Sequence, residues 1–516
     1  MIWIVFAAAF PPLRSRMLVR MGLPASDLPV DGLAGIDLQR KLQEVTYSEL
    51  SAADGADAAR LRSDGPRPAR LARQSVTVSS YYGVLTRGNE AGTRVFCKAY
   101  SSAQPQGVPT EPTSSSTPPD ALAALEAALA SDGRSAPSLA AEMADNEFAA
   151  HTRLQKWLQA ESALTRSLGS SVRGGGETRP QQVRRLLGRL RSATGPDGAR
   201  VILLVFLWGW GEQVRMALPT RAPPTVASWL VSRTRGDTPS SKMWDRSVPL
   251  RAARQRGKFV RAVTRDALQG LACLHAAGVV HGGLTPACVL ISTDDDRRGE
   301  AVSAQLGELA FAREARSLAA VCRADAMDEA GGEDKSADPL GTGLAERAKQ
   351  AGAGSAAERV AFGEAEDVFE FGMLLLVACI VGCAPPAPRG VSGSTAGSGP
   401  ASELGLRSLA EGAFGGRKGG VEVGRLREYL EAEDGLRLGG SGGVELLSEA
   451  PARPPAPSGK EGGMAGGMAA RLRNAGGGER GRGGWEGSGW SLLEQLLGPW
   501  RQRPTAAEAL RHGFWE

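Results

Sequence analysis

The sequence predicts an α+β fold in which a small β-rich lobe precedes a larger α-rich lobe, on three observations. First, VTVSSYYGVL (76–85) and RVFCKAY (94–100) are β-rich runs separated by the turn signal RGNEAG, which reads as a hairpin. Second, Phe259 to Ala276 places apolar residues at helical spacing and stops just before Gly278. Third, Asp367 to Val381 is an apolar stretch long enough for a buried helix. Strands first and helices afterwards, without strict alternation, is the α+β pattern.

Composition limits how much of the chain takes part. A length of 516 residues would suit roughly two to four domains, yet 67 Gly and 31 Pro cluster in a few tracts and leave material for one large folded domain. The tracts read as low-complexity insertions, disordered by composition, at about 101–140, 168–198, 314–360 and 383–488, the last with one helix candidate at 424–432. Residues 1–72 read as an irregular N-terminal extension. The β-rich lobe then spans about 75–210 and the α-rich lobe about 222–515.

A net charge of +5 with scattered Arg and 5% aromatics offers no dense basic stripe, so no nucleic-acid partner is expected. The six cysteines (Cys97, Cys273, Cys288, Cys322, Cys379, Cys383) form no C-x-x-C pair and read as free, buried thiols in a reducing compartment. Four His make a Cys/His zinc site a poor reading. The apolar start Met1 to Phe10 is too short to span a bilayer and lacks the basic flank of a secretory signal. Val201 to Trp210 and Met373 to Val381 read as core elements, so no membrane span is expected.

The stretch Leu271 to Ile291, LACLHAAGVVHGGLTPACVLI, carries the most information. A helix ends at His275-Ala-Ala-Gly, a short strand leads to His281, and a loop runs into the apolar Val289-Leu-Ile. This resembles the catalytic-loop region of protein kinases, where L-H-x-x-G precedes H-R-D-L-K-P-x-N and V-L-I. Other pieces fall in the family's order. Val95-Phe-Cys-Lys98 resembles V-A-I-K, and Glu147, on the helix that follows, resembles the carboxylate that orients that lysine. Leu203 to Gly211 resembles the strand entering the interlobe hinge, and Thr225 to Leu230 the first helix of the large lobe. Leu306-Gly-Glu-Leu-Ala-Phe-Ala-Arg313 sits where kinases carry D-F-G-x-A-R. Asp367-Val-Phe-Glu-Phe-Gly372 resembles D-V-x-S-x-G, whose Asp buttresses the catalytic loop. Arg503-Pro-Thr-Ala-Ala-Glu-Ala-Leu510 with His512 resembles the end of the domain, Arg503 again being structural. The resemblance spans about Ser75 to Trp515 and implies a two-lobed protein-kinase-like fold of the insertion-rich plant and algal type.

The departures fall on the chemistry. Gly282 and Gly283 stand for the Arg and Asp of H-R-D, Thr285 for the Lys and Cys288 for the metal-binding Asn. Gly283 can neither accept nor orient a proton, and His281 is expected as a neutral core residue. Cys288 is a soft ligand that suits Mg²⁺ poorly. Glu308 replaces the metal-binding Asp and is the remaining, weak metal candidate. In the phosphate-covering loop, assigned to Ser79–Gly88, Gly83 alone stands where three glycines are wanted. The resemblance therefore implies a pseudokinase: a scaffold or regulator with residual ATP binding through Lys98, and with Mg²⁺ disfavoured. An active atypical serine/threonine kinase using Glu308, and a hub acting through its Gly/Pro/Ser tracts, are the alternatives. Protein partners are expected, in an intracellular setting that is cytoplasmic, or plastid if the start is a targeting segment.

Overall fold

The computed structural model describes residues 36–47, 75–86, 91–103, 139–167, 186–189, 193–194, 200–207, 224–234, 247–315, 342–384, 403–415, 420–433, 442–449 and 487–516. They form two compact units, a strand-rich one drawn from the first 208 residues and a helical one that holds most of the rest.

The strand-rich unit is an antiparallel sheet. Its strands are β1 (Ile36–Tyr47), β2 (Ser75–Leu85), β3 (Arg94–Ala103), β4 (Leu186–Arg189), β5 (Ala193–Thr194) and β6 (Arg200–Leu207). The order is β1-β2-β3-β6-β4, with β5 also on β6. The expected hairpin is present: the Leu85 and Gly92 amides close the β2–β3 turn onto Thr93 and Leu85 carbonyls, and Gly92 supplies the φ of +85° that the turn requires. One core face collects Ile36, Leu38, Tyr81, Leu85, Val95, Cys97, Ala99, Leu203 and Val205. Residues 95–100 of β3 are buried on both faces, as befits a central strand.

Two expectations are corrected in this unit. Residues 1–72 are not irregular throughout, because Ile36–Tyr47 is a strand paired with β2 along most of its length. Irregularities between Leu38 and Arg40 and between Lys41 and Gln43 break the period-two alternation, so the strand shows no clean pattern in sequence. The tract 168–198 likewise contributes β4 and β5, too short and Arg-rich to stand out.

The helical unit is built on α5 (Ala356–Cys383), buried continuously from Phe371 to Cys383. Around it lie α2 (Val226–Thr234), α3 (Ser247–Ala276), α7 (Val423–Glu433), α8 (Gly442–Ser448), α9 (Gly489–Leu496) and α10 (Ala506–Ala509). The helix α1 (Leu139–Ser167) crosses the division between units after Ala144, and its later turns pack Ala150 and Leu154 against Leu274, Ala277 and Val279. A capping box starts α5, eleven residues ahead of the expected Asp367: Ser355 accepts from the Glu358 amide and Glu358 accepts from the Ser355 amide.

The tracts 314–360 and 383–488 are also corrected. The first contains α4 (Thr342–Gln350) and the opening turns of α5. The second contains α6 (Glu403–Ser408), a π-turn at Leu409–Ala413, α7 at the expected place, and α8. Leu406, Ala410, Val423, Leu426, Leu430, Val444, Leu446 and Leu447 from this tract join the main core. Short helices with one apolar stripe among many glycines leave little periodicity to read. The remainder of the four tracts, the start of the chain and Cys322 lie outside the described residues. Cys97, Cys273, Cys288, Cys379 and Cys383 are free thiols. No helix among the described residues is long and apolar enough to cross a membrane.

Two stability predictions follow from this packing. A Cβ on Gly382 would stand 2.3 Å from the Trp229 ring, which is itself wedged against Phe259 with ring centroids 5.0 Å apart. Gly382→Ala is therefore expected to lower Tm by roughly 3–8 °C in calorimetry, overpacking outweighing the gain in helix propensity. Asp266 of α3 accepts the Ala304 amide at 2.9 Å, and burial pushes its carboxyl up to about 6 despite Arg265 nearby. Its folded value lies above the unfolded one, so its contribution is full below pH about 4 and is lost as pH rises through about 6. Asp266→Asn, which keeps an acceptor, is expected to match the wild type near pH 4 and melt a few degrees higher near pH 7, read from paired thermal scans.

Candidate functional site: the loop from His281 to Cys288

The helix α3 ends where Gly278, at φ +71°, turns the chain and donates to the His275 carbonyl. Two residues then form β7 (Val279–Val280), paired with β10 (Arg313–Glu314). The loop follows, with a 3₁₀ turn at Pro286–Cys288, and leads into β8 (Val289–Ile291), paired with β9 (Ala304–Leu306). Small antiparallel ladders thus hold both ends of the loop.

Asp367 of α5 holds its middle. This carboxylate is 2% exposed. Its Oδ2 accepts the His281 amide at 2.6 Å and its Oδ1 the Gly282 amide at 2.9 Å. His275 Nε2 lies 3.0 Å from Oδ2. Three groups around one carboxylate compensate the cost of burying the charge. His281 is fully buried, and its Nε2 sits 3.2 Å from the Gly307 carbonyl, which makes Nε2 the protonated nitrogen. Burial holds its pKa below the ordinary value, so the ring is neutral, as expected of a core histidine.

The remaining loop positions carry little of the chemistry a phosphoryl-transfer site needs. Gly283 is half-buried and Thr285 exposed. Cys288 Sγ lies 3.3 Å from the Gly283 carbonyl, to which it donates, and 3.2 Å from Thr285 Oγ1. A protonated thiol already serving as a donor inside its own loop is no ligand for a hard cation. Glu308 stands at φ 57°, left-handed, at the start of the 3₁₀ turn Leu309–Phe311. Among the described residues no three His, Cys, Asp or Glu side chains gather as a metal site. Cys288 therefore does not suit Mg²⁺ as a ligand.

That 3₁₀ turn is tied down by residues to which the sequence assigns no role. Asn146 of α1 donates to the Ala310 carbonyl at 3.3 Å, and Leu309 and Ala312 are buried with Leu274 and Ala277. Arg153 donates to the Ala277 carbonyl at 3.0 Å, at the end of α3. Glu147, beside Asn146, is 2% exposed with His151 Nε2 at 3.6 Å. Arg503 is a packing residue: it donates to the Gly498 and Ala365 carbonyls and to Glu366, and it stacks over Phe369 at 4.6 Å.

In the strand-rich unit Lys98 is 2% exposed on β3, in register with Ser80 and Leu204. Gly83 is a correction. It lies inside β2, opposite both Leu38 and Val95, and not in a loop. A Cβ there would stand 3.0 Å from the Asp37 carbonyl, so this glycine admits the irregular β1. Its backbone belongs to the sheet. The connection between β1 and β2 lies outside the described residues.

No family model matches the chain, and no curated protein matches it.

Asp367→Asn is expected to lower Tm by several degrees, since one lobe of the carboxylate becomes a donor facing donors. Hydrogen exchange at the His281 and Gly282 amides is expected to accelerate more than at Val289 or Leu290.

Proposed function

We propose that this chain is a protein-kinase-like domain that has lost phosphoryl transfer and acts as a scaffold or regulator for protein partners, with ATP bound through Lys98. The observation that carries the reading is the Asp367 carboxylate gripping the His281–Gly282 backbone while Gly283 stands where the base would be. The resembled family uses this buttress to present a catalytic Asp. Here the buttress remains and the group it would present does not.

Further features support the reading. Counting β1, Lys98 lies on the third strand of the sheet, the place of the phosphate-contacting lysine in kinases. Loss of a general base alone removes on the order of 10²–10⁴ in rate.

Thermal unfolding of the full chain with ATP, with and without Mg²⁺ or Mn²⁺, tests the proposal. ATP at a hundredfold excess over Kd is expected to raise Tm by about 4–8 °C regardless of metal, because the loop does not fit the ion. Lys98→Met is expected to abolish the shift while leaving the unliganded Tm within a few degrees. Sustained transfer of phosphate from ATP to a protein substrate, lost in Lys98→Met, would overturn the inactive reading. No shift with ATP under any condition would overturn the ATP-binding part.

A further inference from the structure

The glycines at 282 and 283 have one structural neighbour in common. Gly282 adopts φ +72°, and a Cβ there would stand 2.6 Å from the Phe311 carbonyl oxygen. A Cβ on Gly283 would meet the Phe311 side chain in three places, at 3.1 Å from Cδ2 and 3.2 Å from Cβ and Cγ. Cβ and Cγ are the base of the side chain, so turning the ring moves only Cδ2 away, and the rest of Phe311 must give by a few tenths of an ångström. The Phe311 backbone is not free to retreat. It closes the 3₁₀ turn whose neighbours Leu309 and Ala312 are buried among Leu274, Ala277 and Val279, whose Ala312 amide bonds the Leu309 carbonyl, and whose Ala310 carbonyl accepts from Asn146. On the other side, Asp367 and the β7–β10 ladder fix the loop.

We infer that Phe311 fills the place a catalytic carboxylate at position 283 would occupy, so that the missing base is locked in by packing and cannot be restored by one substitution. The functional consequence rests on the kinase-like reading above: the ground beside the loop, where a substrate hydroxyl would be received, is held by a phenyl ring. The packing claim stands on its own and is tested separately from nucleotide binding.

The experiment is a double-mutant cycle on the full chain, read by thermal unfolding: Gly283→Asp, Phe311→Ala and the pair. Gly283→Asp is expected to lower Tm by roughly 3–8 °C, the cost of pressing a side chain against Phe311. Phe311→Ala alone is expected to lower Tm through lost apolar contact. The pair is expected to melt clearly above the sum of the two losses, because removing the ring makes the room that the carboxylate needs. If Gly283→Asp does not fold, Gly283→Ala replaces it in the same cycle, since its single carbon already meets Phe311. Losses that simply add, or a Gly283→Asp protein that melts with the wild type, would overturn the inference. Neither outcome depends on whether ATP binds.

Discussion

A buried carboxylate is one of the more expensive things a protein can hold, and Asp367 is held at 2% exposure by the backbone of another element. Two successive loop amides and one histidine ring converge on it. The arrangement binds three parts of the helical unit at one point: the end of α3 through His275, the loop through His281 and Gly282, and the long helix α5 through Asp367 itself. Remove the charge and the loop amides lose the acceptor that fixes their direction, because the flanking ladders are short and hold the loop only at its ends. The neutral His281 ring follows from the same geometry. Its backbone is committed to Asp367 and its Nε2 faces the Gly307 carbonyl, so a charged ring would have to be desolvated without gaining an acceptor.

Around that point the loop is closed upon itself. In a phosphoryl-transfer loop, side chains reach outward to a hydroxyl, a phosphate and a metal. Here Cys288 turns its thiol to the Gly283 carbonyl, Thr285 turns its hydroxyl to the thiol, and the glycines meet Phe311. The thiol and the hydroxyl are engaged within the loop, and the His281 and Gly282 amides by Asp367. A loop arranged this way can be a firm surface within a fold.

How much of this was legible in the sequence depends on how local each feature is. The stretch from His275 to Ile291 is contiguous, so its helix end, strand and loop could be read together, and Asp367 came with its own short motif. The place of Gly83 in a strand is not legible because β1 is irregular. Its period-two pattern breaks twice, so residues 36–47 read as irregular chain. The helices at 403–408 and 442–448 are not legible because they offer only one and three core residues among glycines, too few for a periodic signal, whereas the helix at 423–433 is legible. Phe311 was invisible for another reason. Its significance lies in which loop atoms it touches, and no spacing in the sequence encodes a contact between two segments some thirty residues apart.

The departures at positions 282, 283 and 288 look like three independent losses when read one by one, and the structure relates them. A positive φ and a carbonyl 2.6 Å from a Cβ make position 282 glycine for steric reasons alone, whatever the fate of catalysis. Position 283 is limited by the stem of the same Phe311. Cys288 then donates to the carbonyl of that second glycine, closing the loop's other side. A carboxylate at 283 would need Phe311 displaced, and it would lie beside a thiol hydrogen-bonded to its own backbone carbonyl. An oxygen ligand at 288 would break the thiol's bond. The three positions form one packed arrangement whose members support one another.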